Sequence, residues 1–212
     1  MRLVANGVAV RYPGSTRVVL SSAHLVVDEG ETVAVLGPSG SGKSTLLSVL
    51  GGLIQPTRGT AHVETSDGSQ VRMREACAWV LQTVNVLPER SALANVAIAG
   101  MASGLSRRAA MGDAALRLSA VGLDDRAQEP ARVLSGGELQ RVVIARALAS
   151  RRPFILADEP TGQLDRATSD AVLDALFNST CGAGVVVVTH DPVVAERCGR
   201  VVRIDDGVAV PV

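Results

Sequence analysis

A glycine-rich loop between an apolar segment and a helical segment constrains the fold of this chain more than any other feature. The loop consists of Gly37, Pro38, Ser39, Gly40, Ser41, Gly42, Lys43, Ser44 and Thr45. Residues 31–36 before it are apolar and rich in β-branched side chains, as in a buried strand, and residues 43–50 after it predict a helix that ends at Gly51 and Gly52. The pattern G-x-x-x-x-G-K-[ST] in this context predicts a phosphate-binding loop in an α/β protein.

Lys43 is the only lysine in the chain, which otherwise carries its positive charge on arginine. In a loop of this kind a compact ammonium reaches the β- and γ-phosphates of a nucleotide, and the larger planar guanidinium of arginine does not replace it. Backbone N–H groups of residues 40–44 would surround the phosphate oxygens, and the Ser44 hydroxyl would ligate Mg²⁺. The alternative, a chance glycine-rich turn, does not explain why strand, lysine and helix occur together.

Two acidic residues follow a second apolar segment, at residues 154–157. A strand that ends in an acid places that acid at the carboxyl edge of a parallel sheet, where ligands bind in open α/β folds. We expect Asp158 to hold Mg²⁺ through water and Glu159 to act as general base on the attacking water. A strand that merely ends in solvated acids is the alternative, and the phosphate loop argues against it.

A second candidate anion site lies at residues 134–141, which read L-S-G-G-E-L-Q-R and open a long helix. Ser135, Gly136 and Gly137 would offer a hydroxyl, free N–H groups and the positive end of a helix dipole. On its own, this segment would be best explained as an ordinary serine-capped helix. Together with the loop at residues 37–45, it gives one chain two phosphate-binding segments.

These motifs resemble those of the ATP-binding cassette (ABC) ATPases, and the resemblance extends over essentially the whole chain. The LSGGQ-type signature of that family matches residues 134–138, with Glu138 where glutamine is common. The resemblance implies ATP and Mg²⁺ as ligands, and ATP hydrolysis as the activity. It also implies that one chain holds half a site, so that two copies form a nucleotide-dependent homodimer with ATP between the phosphate loop of one and the signature of the other.

The resemblance assigns roles to four further residues. Gln82 matches the glutamine that senses the metal and the γ-phosphate, and Asp165 matches an aspartate at the dimer interface. His190 matches a histidine that contacts the γ-phosphate, and Tyr12 matches an aromatic residue that stacks on adenine. The alternatives are an exposed polar residue for Gln82, a helix N-cap for Asp165, a structural histidine for His190 and a core-filling ring for Tyr12. Asp165 could be cap and interface residue at once.

A narrower resemblance is to the ATPases of lipoprotein-release, macrolide-export and cell-division (FtsE-like) systems. Residues 82–88 and 157–162 carry it, whereas Gln163 and Leu139 depart from that group, which usually has Asn and Gln there. It implies a separate membrane permease as partner, docked near residues 82–90, and a cytoplasmic location on the inner face of the membrane. The apolar residues 84–87 suit a groove for a partner helix, and the alternative is a packed junction within the chain.

Composition excludes several other classes of protein. The formal net charge is zero, with 21 acidic and 21 basic residues, which argues against a general nucleic-acid binder or a polybasic membrane anchor. No apolar run approaches the roughly 18 residues that span a bilayer. Cys77, Cys181 and Cys198 lack a metal-type spacing and are expected to be buried thiols.

Two other functional classes share some of the motifs. A soluble ABC-type ATPase that acts on ribosomes, DNA or cell-division machinery would share all of them, so it remains the alternative function. A P-loop kinase or GTPase would not explain residues 134–138 or His190.

The order of segments predicts one α/β domain over residues 1–212, with a P-loop core and a mostly parallel sheet. Residues 2–12 and 17–27 read as an N-terminal antiparallel pair, and about residues 83–150 as an inserted helical subdomain with N-caps at Ser91 and Ser106. Strands at 154–157, 185–189, 201–204 and 208–210 and helices at 167–177 and after Pro192 complete the chain. A hairpin turn is predicted at residues 205–207.

Overall fold

The computed structural model describes residues 1–162, 164–180, 182–205 and 207–211. The chain divides into two compact units, of which the first comprises residues 1–79, 153–159 and 182–212 and the second residues 80–152 and 160–181. The expected roles of Gln163 as a subgroup marker, of Cys181 as a buried thiol and of Asp206 as a turn residue fall outside the described residues.

The first unit is built on a sheet. Its strands are β1 (Arg2–Arg11), β2 (Val18–Asp28), β3 (Thr32–Leu36), β4 (Arg58–Glu64), β5 (Gln70–Val71), β6 (Cys77–Val80), β7 (Phe154–Asp158), β8 (Gly184–Thr189), β9 (Arg200–Asp205) and β10 (Val208–Pro211). They are ordered β5-β4-β1-β2-β10-β9-β3-β8-β7-β6. β7, β8, β3 and β9 run parallel, whereas β1 pairs antiparallel with β2 and β4. This confirms the predicted α/β fold class, and the antiparallel pairing of β9 and β10 confirms the C-terminal hairpin.

The register of the parallel strands brings their carboxyl ends to one edge. Leu36 at the end of β3 lies opposite Thr189 at the end of β8, and Asp158 at the end of β7 lies opposite Val188. The segments that follow these strands carry the phosphate loop, Glu159 and His190. The central strands are buried on both faces, which explains their continuous Val, Ile and Leu runs.

The helices divide between the units. The first unit contains α1 (Lys43–Leu50), α2 (Met73–Ala76) and α7 (Pro192–Glu196), and the second contains α3 (Ala92–Ala102), α4 (Arg107–Ala120), α5 (Gly136–Ala149) and α6 (Arg166–Asn178). Ser91 and Ser106 accept hydrogen bonds from the N–H groups three residues later, which confirms them as N-caps. Within the described ranges, no helix has the length and apolar character needed to cross a membrane.

The sequence did not predict β4, β5 or α2. β4 lies on the outer side of β1, and only Val63 in it is fully buried, so its sequence lacks the apolar alternation of an inner strand. The second unit extends beyond the expected residues 83–150, because it also includes residues 160–181. That the whole chain is one ABC-type domain with a helical subdomain stays a prediction.

Candidate nucleotide site

The phosphate loop requires glycine at two positions for different reasons. Gly42, the N-cap of α1, has a φ of 102°, a left-handed conformation that L side chains rarely adopt. A Cβ at Gly37 would lie 2.6 Å from Ser41 Oγ and 2.7 Å from Ile204 O, so the loop packs too closely for a side chain there. No described side chain caps α1, and its first N–H groups therefore remain available to an anion.

Lys43 is folded over the loop that precedes it. Its Nζ donates hydrogen bonds to Gly37 O at 2.8 Å and to Pro38 O at 3.0 Å, and the residue is only 7% exposed. Two carbonyl oxygens of the loop therefore accept hydrogen bonds from the ammonium. A phosphate bound to the loop N–H groups would offer this ammonium a charged acceptor in place of neutral ones.

Ser44 and Asp158 meet across the edge of the sheet. Ser44 Oγ donates a hydrogen bond to Asp158 Oδ1 at 3.2 Å. Burial raises the pKa of the Asp158 carboxyl, the Ser44 hydrogen bond and the charge of Lys43 lower it, and the charge of Glu159 raises it. A partly desolvated carboxylate beside a hydroxyl is a pair of hard oxygen donors. These residues therefore fit a magnesium ion.

Glu159 is held at three points. It has a φ of 45°, unusual for a residue with a side chain, and its N–H donates to Val188 O at 2.9 Å. Its Oε2 accepts a hydrogen bond from Thr189 Oγ1 at 3.2 Å, and its Oε1 lies 2.8 Å from His190 Nδ1. The carboxylate is thus fixed through both oxygens at the edge of the sheet, as a general base must be.

Thr189 is a residue that the sequence analysis missed. It is buried, and its Oγ1 also accepts a hydrogen bond from the Asp191 N–H at 3.0 Å. The Thr189 hydroxyl donates its one proton to Glu159 Oε2, because a carboxylate oxygen accepts hydrogen bonds, and it accepts the Asp191 N–H on its own oxygen. Its position as the last residue of a buried strand, next to His190, was the available signal.

Tyr12 lies on the surface of the first unit and is 42% exposed, which does not support the core-filling alternative. Its hydroxyl is 3.1 Å from Thr45 Oγ1 in the phosphate loop, and either atom can donate. The ring is therefore tethered to the loop with part of its surface free. Its stacking on adenine stays a prediction.

In the second unit, Ser135 and Glu138 form a capping box at the start of α5. Ser135 Oγ accepts a hydrogen bond from the Glu138 N–H at 3.3 Å, while Glu138 Oε2 accepts from both Ser135 N and Ser135 Oγ at 2.8 Å. Arg126 Nε donates to the other oxygen, Oε1, at 3.0 Å. The backbone N–H of Ser135, its hydroxyl and the Arg126 guanidinium hold the pKa of Glu138 below its ordinary value. Ser135 and Gly136 are exposed, whereas Gly137 is buried.

Gly137 and Asp165 are linked through Thr168. A Cβ at Gly137 would lie 2.1 Å from Thr168 Cγ2, so α5 and α6 are in direct contact at this point. Asp165 accepts from Thr168 N at 3.0 Å and from Thr168 Oγ1 at 2.7 Å, and these bonds lower the pKa of its carboxyl. Asp165 is therefore the N-cap of α6. Its additional role at a dimer interface stays a prediction.

The segment after Gln82 is anchored but retains exposed apolar side chains. Asn95 is buried in α3; its Oδ1 accepts from the Leu87 N–H at 2.7 Å, and its Nδ2 donates to Leu87 O at 3.0 Å and Arg90 O at 3.2 Å. Gln82 itself is exposed, as are Leu81 and Leu87. The backbone is thus packed at a junction, while its outer face is free for a partner.

The cysteines that the structure describes behave as structural thiols. Cys77 is buried, and burial raises the pKa of the Cys198 thiol to about 11. Within the described residues, no group of three or more His, Cys, Asp or Glu side chains is placed to hold a metal ion. The site at Ser44 and Asp158 differs from such clusters, because a hydroxyl and a single carboxylate form it.

Residues 20–162 match the family model described as ABC transporter, a stretch that includes both the phosphate loop and the signature segment. The chain belongs to the ABC transporter family. The lipoprotein-releasing system ATP-binding protein LolD 1 of Caulobacter vibrioides is 46% identical to it, over 89% of this chain and 85% of that protein. The macrolide export ATP-binding/permease protein MacB of Rhodopseudomonas palustris is 42% identical over 98% of this chain, which spans 33% of that larger protein.

A solved structure gives the same result for the fold. The ATP-binding cassette MJ0796, in a dimeric post-hydrolysis state bound to ADP and Pi, has a TM-score of 0.83 and 33% identity, over 98% of this chain and 96% of that one. The chain is therefore an ABC-type ATPase cassette that binds nucleotide. The resemblance to the lipoprotein-release and macrolide-export group is also confirmed.

Proposed function

We propose that this cassette energises a separate membrane permease, and that two copies enclose two ATP molecules between them. The observation that supports this most directly is the division of phosphate-binding groups. The first unit gathers Lys43, Ser44, Asp158 and Glu159 at one sheet edge, whereas Ser135 and Gly136, the candidate anion donors at the start of α5, are exposed residues of the second unit. A second copy would bring those donors to the γ-phosphate.

Hydrolysis follows from the groups at the sheet edge. The loop N–H groups and Lys43 bind the β- and γ-phosphates, and His190 contacts the γ-phosphate. Water attacks the γ-phosphorus, Glu159 accepts the proton that the water loses, and the bond to the ADP oxygen breaks.

Bound Mg²⁺ would supply positive charge against the phosphates, with Ser44, Asp158 and Gln82 to hold it. Tyr12 would stack on the adenine, and Asp165 would reach the partner copy.

Two observations support a membrane permease as partner: the similarity of the chain to transporter subunits, and the exposed surface of residues 82–90. A relative at 46% identity is named as the ATP-binding protein of a lipoprotein-releasing system, and another is an ATP-binding/permease protein. Residues 82–90 present the exposed Leu87 on a backbone that Asn95 fixes, which suits the docking of a partner helix. The cassette would then act at the inner face of the membrane, as one domain with a helical subdomain that carries the docking surface.

The second candidate is an ABC-type ATPase that works on ribosomes, DNA or cell-division machinery. It would use the same hydrolytic groups. The zero net charge of the chain disfavours a nucleic-acid partner, because such binding depends on the release of counterions by basic residues.

Purification of tagged Glu159→Gln from solubilised native membranes, with ATP and Mg²⁺, tests the proposal. This variant should trap the ATP-bound state, because the amide cannot take the proton from water. We expect an integral membrane protein to copurify, and to be lost when Lys43→Ala is added to the same variant as a control. Recovery of ribosomal proteins or DNA instead would overturn the transport role and leave the ATPase activity standing.

A further inference from the structure

We propose that Glu138 and Arg126 control how readily Ser135 gives its hydroxyl proton to a nucleotide phosphate. The pair would thereby set the ATP concentration at which two copies associate. The inference rests on the proposed function, in which Ser135 of one copy contacts the γ-phosphate held by the other.

The single proton of the Ser135 hydroxyl is already engaged. It is directed to Glu138 Oε2 at 2.8 Å, while the oxygen of the same hydroxyl accepts the Glu138 N–H. A serine hydroxyl has one proton to donate. Before it can donate to a phosphate, this bond must therefore break, and hydrogen bonds to an ionised acceptor are roughly twice as strong as neutral ones. The lowered pKa of Glu138 keeps the carboxylate ionised at neutral pH.

The charge of Glu138 opposes an incoming phosphate as well. Its side chain is only 19% exposed, so water screens it poorly. Arg126 Nε, at 3.0 Å from Oε1, offsets that charge from the side away from Ser135. Arg126 is thus a positioning residue with two effects, because it orients the carboxylate and reduces its repulsion of the phosphate.

Glutamine at this position would loosen the hold on the hydroxyl in either orientation of its amide. If the amide oxygen faces Arg126, the NH₂ group faces Ser135 and cannot accept its proton. If the oxygen faces Ser135, the hydroxyl bonds to a neutral acceptor, which is weaker. Glutamine also supports a capping box, so α5 should still begin at Gly136.

The test measures ATP-dependent dimerisation by light scattering, in the Glu159→Gln background so that ATP persists. Added Glu138→Gln should lower the ATP concentration for half-maximal dimerisation by about fivefold, the difference expected between a charged and a neutral hydrogen bond. Glu89→Gln is the matched control. Glu89 lies in the same unit, its Oε2 accepts a hydrogen bond from Arg132 Nε at 3.2 Å, and the substitution removes the same charge. It should leave the midpoint unchanged.

The Arg126→Met variant tests the inference independently, because it should change the ATP concentration for half-maximal dimerisation in the opposite direction. It should raise the midpoint by several-fold when Glu138 is present and have no effect in the Glu138→Gln variant, because its action requires the carboxylate. Circular dichroism melts establish that each variant is folded. An unchanged or raised midpoint in folded Glu138→Gln, or an Arg126 effect that persists in it, would overturn the inference. If the Glu159→Gln parent does not dimerise with ATP, the proposed two-copy site fails, and this inference fails with it.

Discussion

Thr189 connects the last position of a buried strand to the proposed general base. Its hydroxyl accepts the Asp191 N–H and donates to Glu159 Oε2 at 3.2 Å, while His190 contacts the other carboxylate oxygen. His190 is exposed, and in our proposal it contacts a phosphate, whereas Thr189 is buried at the end of β8. We therefore expect Thr189 to support the carboxylate throughout the reaction and His190 to release it when a phosphate binds.

Replacement of Thr189 by valine, which has nearly the same shape, should lower kcat about tenfold, because a hydrogen bond to a charged group is lost. The KM for ATP should change little, since the Thr189 hydroxyl bonds to Glu159 and Asp191, neither of which binds ATP in our proposal. Steady-state ATPase assays separate the two parameters. Thr189→Ser, which keeps the hydroxyl, should recover most of the activity; a serine variant as slow as the valine variant would show that packing, not the hydroxyl, matters.

Glu138 should also make stability depend on pH. Its pKa is held below the ordinary value of 4.5 by Ser135 and Arg126. The stabilisation that the ionised carboxylate gives to the folded state is therefore fully present above pH 4.5. That contribution is lost as the pH falls through the lower pKa of the folded state. The difference in free energy of unfolding between the parent chain and Glu138→Gln should therefore shrink below pH 4.5. Urea denaturation at pH 7 and at pH 3.5 measures it, and an equal difference at both would contradict the assignment.

At the scale of elements, the contact between α5 and α6 depends on a missing side chain. Thr168 Cγ2 occupies the place where a Cβ of residue 137 would lie, and the Thr168 hydroxyl is held by Asp165, the N-cap of α6. The signature segment and the cap of α6 are thus fixed relative to each other within the second unit.

Gly137→Ala should destabilise the fold by about 1–3 kcal/mol, because an added methyl is forced into a filled space. Gly136→Ala is the matched control: its Cβ would be 3.8 Å from the nearest atom, Leu164 Cδ2, and alanine favours helix by up to about 1 kcal/mol. Thr168→Ser removes Cγ2 but keeps the hydroxyl, so Gly137→Ala with Thr168→Ser should recover the lost stability. Thermal unfolding of the parent chain, the two glycine variants and the double variant tests this. Equal losses of stability in Gly137→Ala and Gly136→Ala would argue against this contact.

Elements were predictable where the sequence marks their ends. The helix at residues 43–50 was predicted with correct bounds, because glycines stand on both sides of it. β4 was not, since it carries mostly polar residues and only Val63 in it is fully buried. The capping box of Ser135 and Glu138 was visible as an S-x-x-E pattern. Arg126 was not, because nothing local in the sequence indicates that it pairs with a carboxylate twelve residues later.

At the scale of the whole molecule, Lys43, Asp158, Glu159 and His190 come from three separate regions of sequence, and the sequence predicted each of them as a site residue. Motif spacing sufficed because the parallel strands β3, β7 and β8 end at one edge in register. The supports of these residues, such as Thr189, depend on side-chain distances that spacing does not reveal. The order of strands likewise could not be obtained from the sequence, since β10 is inserted between β2 and β9.

For the whole molecule, we expect hydrolysis to be coupled to the assembly of two copies. Glu159→Gln should reduce ATP turnover by at least about a hundredfold, the lower range for loss of a general base, and should remain a dimer as long as ATP is present. The parent chain should return to monomer as ATP is consumed. Light scattering over time follows the oligomeric state, and phosphate release measured in parallel follows ATP turnover. A Glu159→Gln protein that is monomeric with ATP would contradict the two-copy site.

The position of Lys43 has a consequence for how this protein can be cut. A protease specific for lysine has a single bond to hydrolyse in the chain, on the carboxyl side of Lys43, in the first turn of α1. The residue is 7% exposed and its ammonium is bound to Gly37 and Pro38, so the bond can be reached only when this segment opens. The rate of that one cleavage therefore reports how often the segment around Lys43 opens, and its slowing by nucleotide gives a titration of occupancy without any label.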